Sequence, residues 1–342
     1  MSRLVEYENI LYANFDWGRN EAFAELELYI TTHTTANKTL YAMNLVEGEI
    51  FVTEHDEFIY KINEIAKWFK DCYFFNMNPL LQQSFNLLDN KYKSNISKVI
   101  SYPYSVLNRT KFYMMNENLN SDYKERPFEK HFIFMNAVAK PHRIRMYIDF
   151  HKHNILDTAY ISWLNRYDTL QPETIKFHKK VDGVDLSKKK ILDRGMLKDT
   201  AQDELSSYYE SAAIDIFGES VGKNPHCIIV SEKTWKPILY KKVFLGFSIK
   251  GFYRWLRNEG FLLYDDLIDY SFDDVDSYSN RYEMFWNEIY KLSQMPLDEL
   301  STKIDGIRWK LDHNYNVAMS KNSIPPMLEP YAEYTDLLWI HK

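Results

Sequence analysis

Hydrophobic positions recur with a strand-like period in some stretches of the chain and a helical one in others. Asn9-Ile10-Leu11-Tyr12-Ala13-Asn14-Phe15 reads as a strand, and a helix-favouring stretch begins at Asn20. Ile50-Phe51-Val52 is again strand-like. From Phe58 to Phe75 apolar residues recur at helical spacing (Ile59, Ile62, Ile65, Ala66, Phe69), which predicts a helix over that span. Lys98-Val99-Ile100-Ser101 and Lys111-Phe112-Tyr113-Met114-Met115 are predicted strands. Strands and helices alternating at short range predict an α/β layered domain.

A second unit begins near residue 130. His131-Phe132-Ile133-Phe134-Met135 is a predicted strand. A helix follows through His142-Arg143-Ile144-Arg145-Met146-Tyr147, with Pro141 at its opening. Residues 166–205 carry the weakest pattern. Ser211–Phe217 is a predicted strand, Ser231–Lys242 a helix, Val243–Phe247 a strand, and Lys250–Asn258 a helix stopped by Gly260. Helices are expected at about 279–293 and 297–319. Pro325-Pro326 then breaks the chain before a last short helix. The domain reading is 1–128, 129–320 (including a basic loop at 166–205) and a tail at 321–342. In a parallel sheet the ligand lies at the carboxyl ends of strands, against helix N-termini. The turn at Ser231 is such a position.

The segment Ile229-Val230-Ser231-Glu232-Lys233-Thr234-Trp235-Lys236-Pro237-Ile238 concentrates the candidate chemistry. Ser231 is a good N-cap. Free N–H groups in the first turn can hold a phosphate, and Lys233 and Lys236 can neutralise it. Glu232 can accept hydrogen bonds from ribose hydroxyls. A nucleotide diphosphate needs those groups, both to bind and to depart. The same spacing also describes an ordinary capped surface helix with an ion pair.

Composition narrows the classes. Of 342 residues, 45% are hydrophobic and 26% charged, the balance of a folded chain. The formal net charge of −6 gives no global field toward nucleic acid or an anionic membrane. The two cysteines, Cys72 and Cys227, stand far apart without CxxC or Cys-His spacing, so a reducing compartment fits. The N-terminus MSRLVEYENI has no apolar core of a signal peptide, and no run approaches a membrane span. A cytoplasmic location is expected, the host cytoplasm for a viral protein. With 26 Tyr and 21 Phe the chain has rings to stack sugars or bases on.

Ser231-Glu232-Lys233 resembles the Thr-Glu-Lys motif of α-1,3-fucosyltransferases. The longer string SEKTWKPILYKKVFLGFSIKGFYRWLRNEGF resembles that of the fucosyltransferase- and exostosin-like proteins of tailed bacteriophages. Phe132–Asn136 followed by Pro141-His142-Arg143, Phe217-Gly218-Glu219-Ser220 and Asp312-His313-Asn314-Tyr315 resemble further segments of that group, in the same order. The resemblance covers roughly residues 130–320; residues 1–125 do not match it. It implies a GT-B glycosyltransferase: two Rossmann-like domains facing a cleft, with C-terminal helices packing back toward the N-terminal domain. It also implies a nucleotide-sugar donor, UDP- or GDP-linked, with no cofactor and no metal. Arg143 would bind the donor phosphates, Glu219 would lie at the sugar or ribose, and Glu232 and Lys233 would hold ribose and diphosphate. Three departures stand out. Ser231 replaces Thr, Ala137 stands where Arg is common (so that one phosphate contact is either missing or supplied by Arg143 or Arg145), and Val243 replaces Pro. Pro237 should kink or restart its helix.

The implied reaction transfers a sugar to an acceptor hydroxyl. Phage relatives point to a hydroxylated base of DNA; a polysaccharide or protein acceptor is the alternative. An idle nucleotide-binding or assembly module on the same fold is the reading from another class. Asp16, after the first strand, is the candidate general base. Lys176–Lys198 holds eight basic residues against three acidic, and Lys188, Lys189 and Lys190 are its candidate nucleic-acid contacts. The alternative there is a solvated loop. His142 reads as either a packing residue or a phosphate partner. His151-Lys152-His153 lacks metal-ligand spacing, and the acidic run Asp265–Asp276 lacks EF-hand spacing and reads as an acidic loop.

Overall fold

In the computed structural model the described residues are 4–15, 19–44, 57–76, 78–101, 103–104, 107, 110–111, 127–138, 140–166, 180–186, 208–219 and 228–321. Contacts divide the chain into two compact units. One comprises Met1–Phe112, Asn224–Glu232 and Lys321–Lys342; the other comprises Tyr113–Lys223 and Lys233–Ser320.

The first unit carries β1 (Leu4–Tyr7), β2 (Ile10–Asn14), α1 (Arg19–Thr32), β3 (Thr39–Asn44), α2 (Glu57–Ala66), β4 (Asp71–Asn76), α3 (Leu81–Asn86) and β5 (Lys98–Ser101). β1 and β2 form an antiparallel hairpin turned at Glu8, whose φ is 53°. β2 to β5 are parallel and lie side by side in chain order. Right-handed crossovers that always step the same way leave their helices on one face. Phe15, Leu26, Phe58, Ile62, Phe74 and Leu81 form one buried cluster that joins strands to all three helices. The opposite face is aromatic: Tyr12, Tyr41 and Phe75 are buried, with Tyr7 and Tyr73 against them.

Two sequence expectations are corrected here. The helix over 58–75 stops at Ala66, and 71–76 is a strand. Trp68 and Phe69 close a turn by donating to Ile65 and Ala66 (both 3.0 Å). Cys72, Phe74 and Phe75 are all buried, so this central strand is apolar on both faces and its pattern does not separate the two periods. Lys111 is helical instead of extended. The expected strands at 50–52 and 112–115 lie outside the described residues.

The second unit carries β6 (Lys130–Val138), α4 (Pro141–Lys152), β7 (Ala159–Arg166), a small hairpin of β8 (Lys180–Val181) and β9 (Val184–Asp185), β10 (Ala212–Gly218), α5 (Glu232–Leu239), β11 (Val243–Phe247), α6 (Phe252–Asn258), α7 (Tyr278–Ser293), α8 (Leu297–Gly306) and α9 (Arg308–Ser320). The helix expected over 297–319 is thus two, broken at Ile307. The main sheet is wholly parallel, in the order β11-β10-β6-β7. The chain steps one way from β6 to β7 and the other way from β10 to β11, so α4 and α5 cover opposite faces. Phe150 of α4 meets Phe132 and Phe134 on one face; Tyr209 and Tyr240 pack against Ile133 on the other.

Two close approaches require glycine. A Cβ on Gly246 would meet the Phe217 ring at 2.5 Å. Gly246 also spends its outward backbone groups on one side chain. Its N–H donates to the Tyr253 hydroxyl (2.7 Å), which donates back to its carbonyl (2.9 Å). The Asp-His-Asn-Tyr segment is a clamp on the 260–264 loop. Asn314 takes the N–H of Leu262 (2.7 Å) and donates to its carbonyl (2.8 Å), and the His313 imidazole bonds the Gly260 carbonyl (2.9 Å). Among the described residues no helix is long and apolar enough to cross a membrane.

Candidate functional site

Strand order in the second sheet reverses between β6 and β10, and an open parallel sheet binds its ligand at the carboxyl ends flanking such a reversal. β10 ends at Gly218-Glu219 there, and β6 leads into α4 through Lys140-Pro141. Pro141 sits in the first turn of α4, where its missing N–H costs nothing. The next two residues, His142 and Arg143, are buried and turn back onto the end of β10.

Arg143 Nε donates to the Gly218 carbonyl at 2.9 Å. His142 Nε2 lies 2.8 Å from the Glu219 carbonyl oxygen. A carbonyl only accepts, so Nε2 carries the proton and the ring is the Nε2–H tautomer. Burial, followed by the neighbouring Arg143 cation, pushes the His142 pKa down from 6.5 to about 3, which keeps the imidazole neutral. Glycine at 218 makes room for this: a Cβ there would stand 2.8 Å from His142 Nε2 and 3.0 Å from Arg143 Cγ.

From the other face Thr234 reaches the same residue, donating through Oγ1 to Glu219 Oε1 at 2.5 Å. Glu219 and Thr234 are fully buried. Thr234 belongs to the first turn of α5, which opens at Glu232 directly after buried Ser231. Glu232 and Lys233 are half-buried. Pro237 lies inside α5 and removes the N–H that would bond the Lys233 carbonyl, yet the helix runs on to Leu239.

Within the second unit the structure therefore brings Arg143, Glu219 and Thr234 to the end of β10. Lys236 is placed elsewhere. Its ammonium sits 4.3 Å from the centroid of Tyr209, whose hydroxyl donates to Asp215 Oδ2 at 2.5 Å. Asp215 precedes Glu219 by four strand residues, roughly 13 Å. Burial raises its pKa while Lys236 opposes the rise. Arg145 has its own partners: its guanidinium lies 4.1 Å from the Tyr282 centroid and 3.4 Å from Glu283. Asp16 and Lys188, Lys189 and Lys190 lie outside the described residues.

The acidic run is tied to cations. Asp265 pairs with Arg257, Asp266 with Lys310, Asp274 with Arg254, and Asp276 with Lys250 at 2.5 Å. Asp273 is buried and accepts from the Arg254 backbone N–H at 3.0 Å. Among the described residues no group of His, Cys, Asp and Glu is arranged to hold a metal ion.

Sequence reasoning gave no role to Thr234 or to Asn136. Thr234 stood inside the Ser-Glu-Lys segment, but only the fold shows that its hydroxyl meets Glu219. Asn136 follows the apolar run Phe132–Met135, and that change to a polar side chain was its signal. Family models, curated proteins and solved structures were all compared with this chain, and none matches it.

Proposed function

We propose that the chain is a nucleotide-sugar-dependent glycosyltransferase that binds its donor at the carboxyl edge of the second sheet. The observation supporting this is the double anchoring of Glu219 at the reversal of strand order, its carbonyl by His142 of α4 and its carboxylate by Thr234 of α5. Two helix N-termini, one from each face, are fixed to the same strand end. The positive dipole ends of both helices suit a diphosphate. In this reading Lys233 neutralises the diphosphate, Glu232 accepts from the ribose, and buried Arg143 adds positive charge beneath. The same groups stabilise the nucleotide as it leaves. The GT-B arrangement, an acceptor hydroxyl offered on the first unit, and binding without a metal are parts of the proposal.

Calorimetry with UDP- and GDP-sugars tests it. Lys233→Ala removes a charge-assisted hydrogen bond worth about 1.5–3 kcal/mol, so affinity should fall roughly 10- to 100-fold. Absence of binding to either donor, or equal affinity in the variant, overturns the assignment. Release of free nucleoside diphosphate with an acceptor present separates an enzyme from an idle binding module.

A further inference from the structure

The residue that ends the apolar run of β6 is Asn136. It is 3% exposed, and among the described residues its Nδ2 has no hydrogen-bond partner. An amide N–H₂ left unbonded in a protein interior is costly, and most such groups are satisfied. The Asn136 amide lies beside the reversal of strand order.

Its position follows from the sheet. Side chains alternate along β6, so Asn136 lies on the face of Phe132 and Phe134, the face covered by α4. Phe132 pairs with Ile214 and Phe134 with Ile216. Continuing that register sets Asn136 beside Gly218, the residue without a side chain against which His142 and Arg143 pack. On its other side Asn136 pairs with Trp163, which is stacked on Tyr147 of α4. The amide thus lies under the first turn of α4 with Arg143 and a neutral His142. A donor in positive surroundings calls for an anionic oxygen.

We propose that Asn136 Nδ2 donates to a phosphate oxygen of the nucleotide diphosphate. The inference rests on the donor-site reading above and adds a binding residue to it. It separates two properties that a structural asparagine would keep together, stability and affinity. Asn136→Leu removes an unsatisfied donor and keeps the branched shape, so the free protein melts at the same temperature as wild type or higher. The same variant binds UDP or GDP about tenfold or more weakly by calorimetry. Asn136→Asp keeps the shape but replaces the donor with an acceptor, and loses affinity as well. Uridine and guanosine, which carry no phosphate, bind both variants as they bind wild type.

Unchanged UDP and GDP affinity in the two variants overturns the assignment of Asn136 and leaves the donor site standing. An Asn136→Leu variant that melts lower or fails to fold shows that the amide is satisfied within the protein, which also overturns it. A wild type that binds neither UDP nor GDP takes down the donor site itself, and this inference with it.

Discussion

Acid should loosen the second unit through one side chain, His142. The perturbation is a change from pH 7.5 to pH 5, in wild type and in His142→Gln. In the folded chain burial and the Arg143 cation hold the imidazole pKa at about 3, against 6.5 for the ordinary group. The folded pKa is depressed, so the stabilisation is complete above pH 6.5 and is lost as pH falls from there toward 3. At pH 5 the unfolded chain has taken up the proton and the folded chain has not, a difference of about 2 kcal/mol. By pH 3 the loss reaches about 4 kcal/mol on the same relation. Gln does not titrate in this range, and its Nε2 can still donate to the Glu219 carbonyl. Hydrogen exchange on a peptide covering β10, corrected for intrinsic rates, reads the local opening free energy. Wild type should lose about 2 kcal/mol more than the variant between the two pH values. Equal losses would refute the reasoning, because other titrating groups are common to both proteins. So would a wild type as well protected at pH 5 as at pH 7.5.

Three further outcomes follow from the packing. Gly218→Ala forces His142 and Arg143 off the end of β10 and should cost about 1–3 kcal/mol in urea unfolding; a neutral effect would show that α4 shifts freely. Asn314→Ala strands both backbone groups of Leu262 and should cost about 2–3 kcal/mol, read as a lower urea midpoint at constant slope. Burial lowers the Lys242 pKa from 10.5 to about 7, so wild type should gain stability relative to Lys242→Met as pH rises from 7 to 10.5. Parallel stability curves for those two proteins would place the Lys242 amine in water.

Much of the second unit was readable from its amino acids, because its short strands are apolar and punctuated. β6, β10 and β11 announce themselves as apolar runs, and Pro141 and Gly260 mark a helix start and a helix end. The first unit was harder at β4. Its Cys72-Tyr73-Phe74-Phe75 run is buried on both faces, and such a run fits either period. Ile307 offered no Gly or Pro to show that 297–319 would break. The candidate site was named in the sequence only as residue types, with Arg143 and Lys233 expected at the diphosphate and Glu219 at the sugar or ribose. Its geometry was not. That Thr234 reaches Glu219, that Lys236 sides with Tyr209, and that Asp312-His313-Asn314-Tyr315 clamps a loop all depend on contacts across 15 to 53 residues of chain. Spacing along a sequence carries no information about such pairs.

The Tyr253 hydroxyl gives the second sheet a finished border at β11. A bare strand edge is a row of vacant donors and acceptors, an invitation to any extended segment that drifts past. At Gly246 that invitation is withdrawn, since both backbone groups already answer to one phenol. An intruder would have to evict a fully buried ring packed against Tyr270 and Phe272. A glycine, bare enough to be overrun by a neighbouring strand, is thereby closed to one. Fusion of one molecule to the next by strand addition is discouraged there by an aromatic alcohol, where other sheets rely on charge or proline.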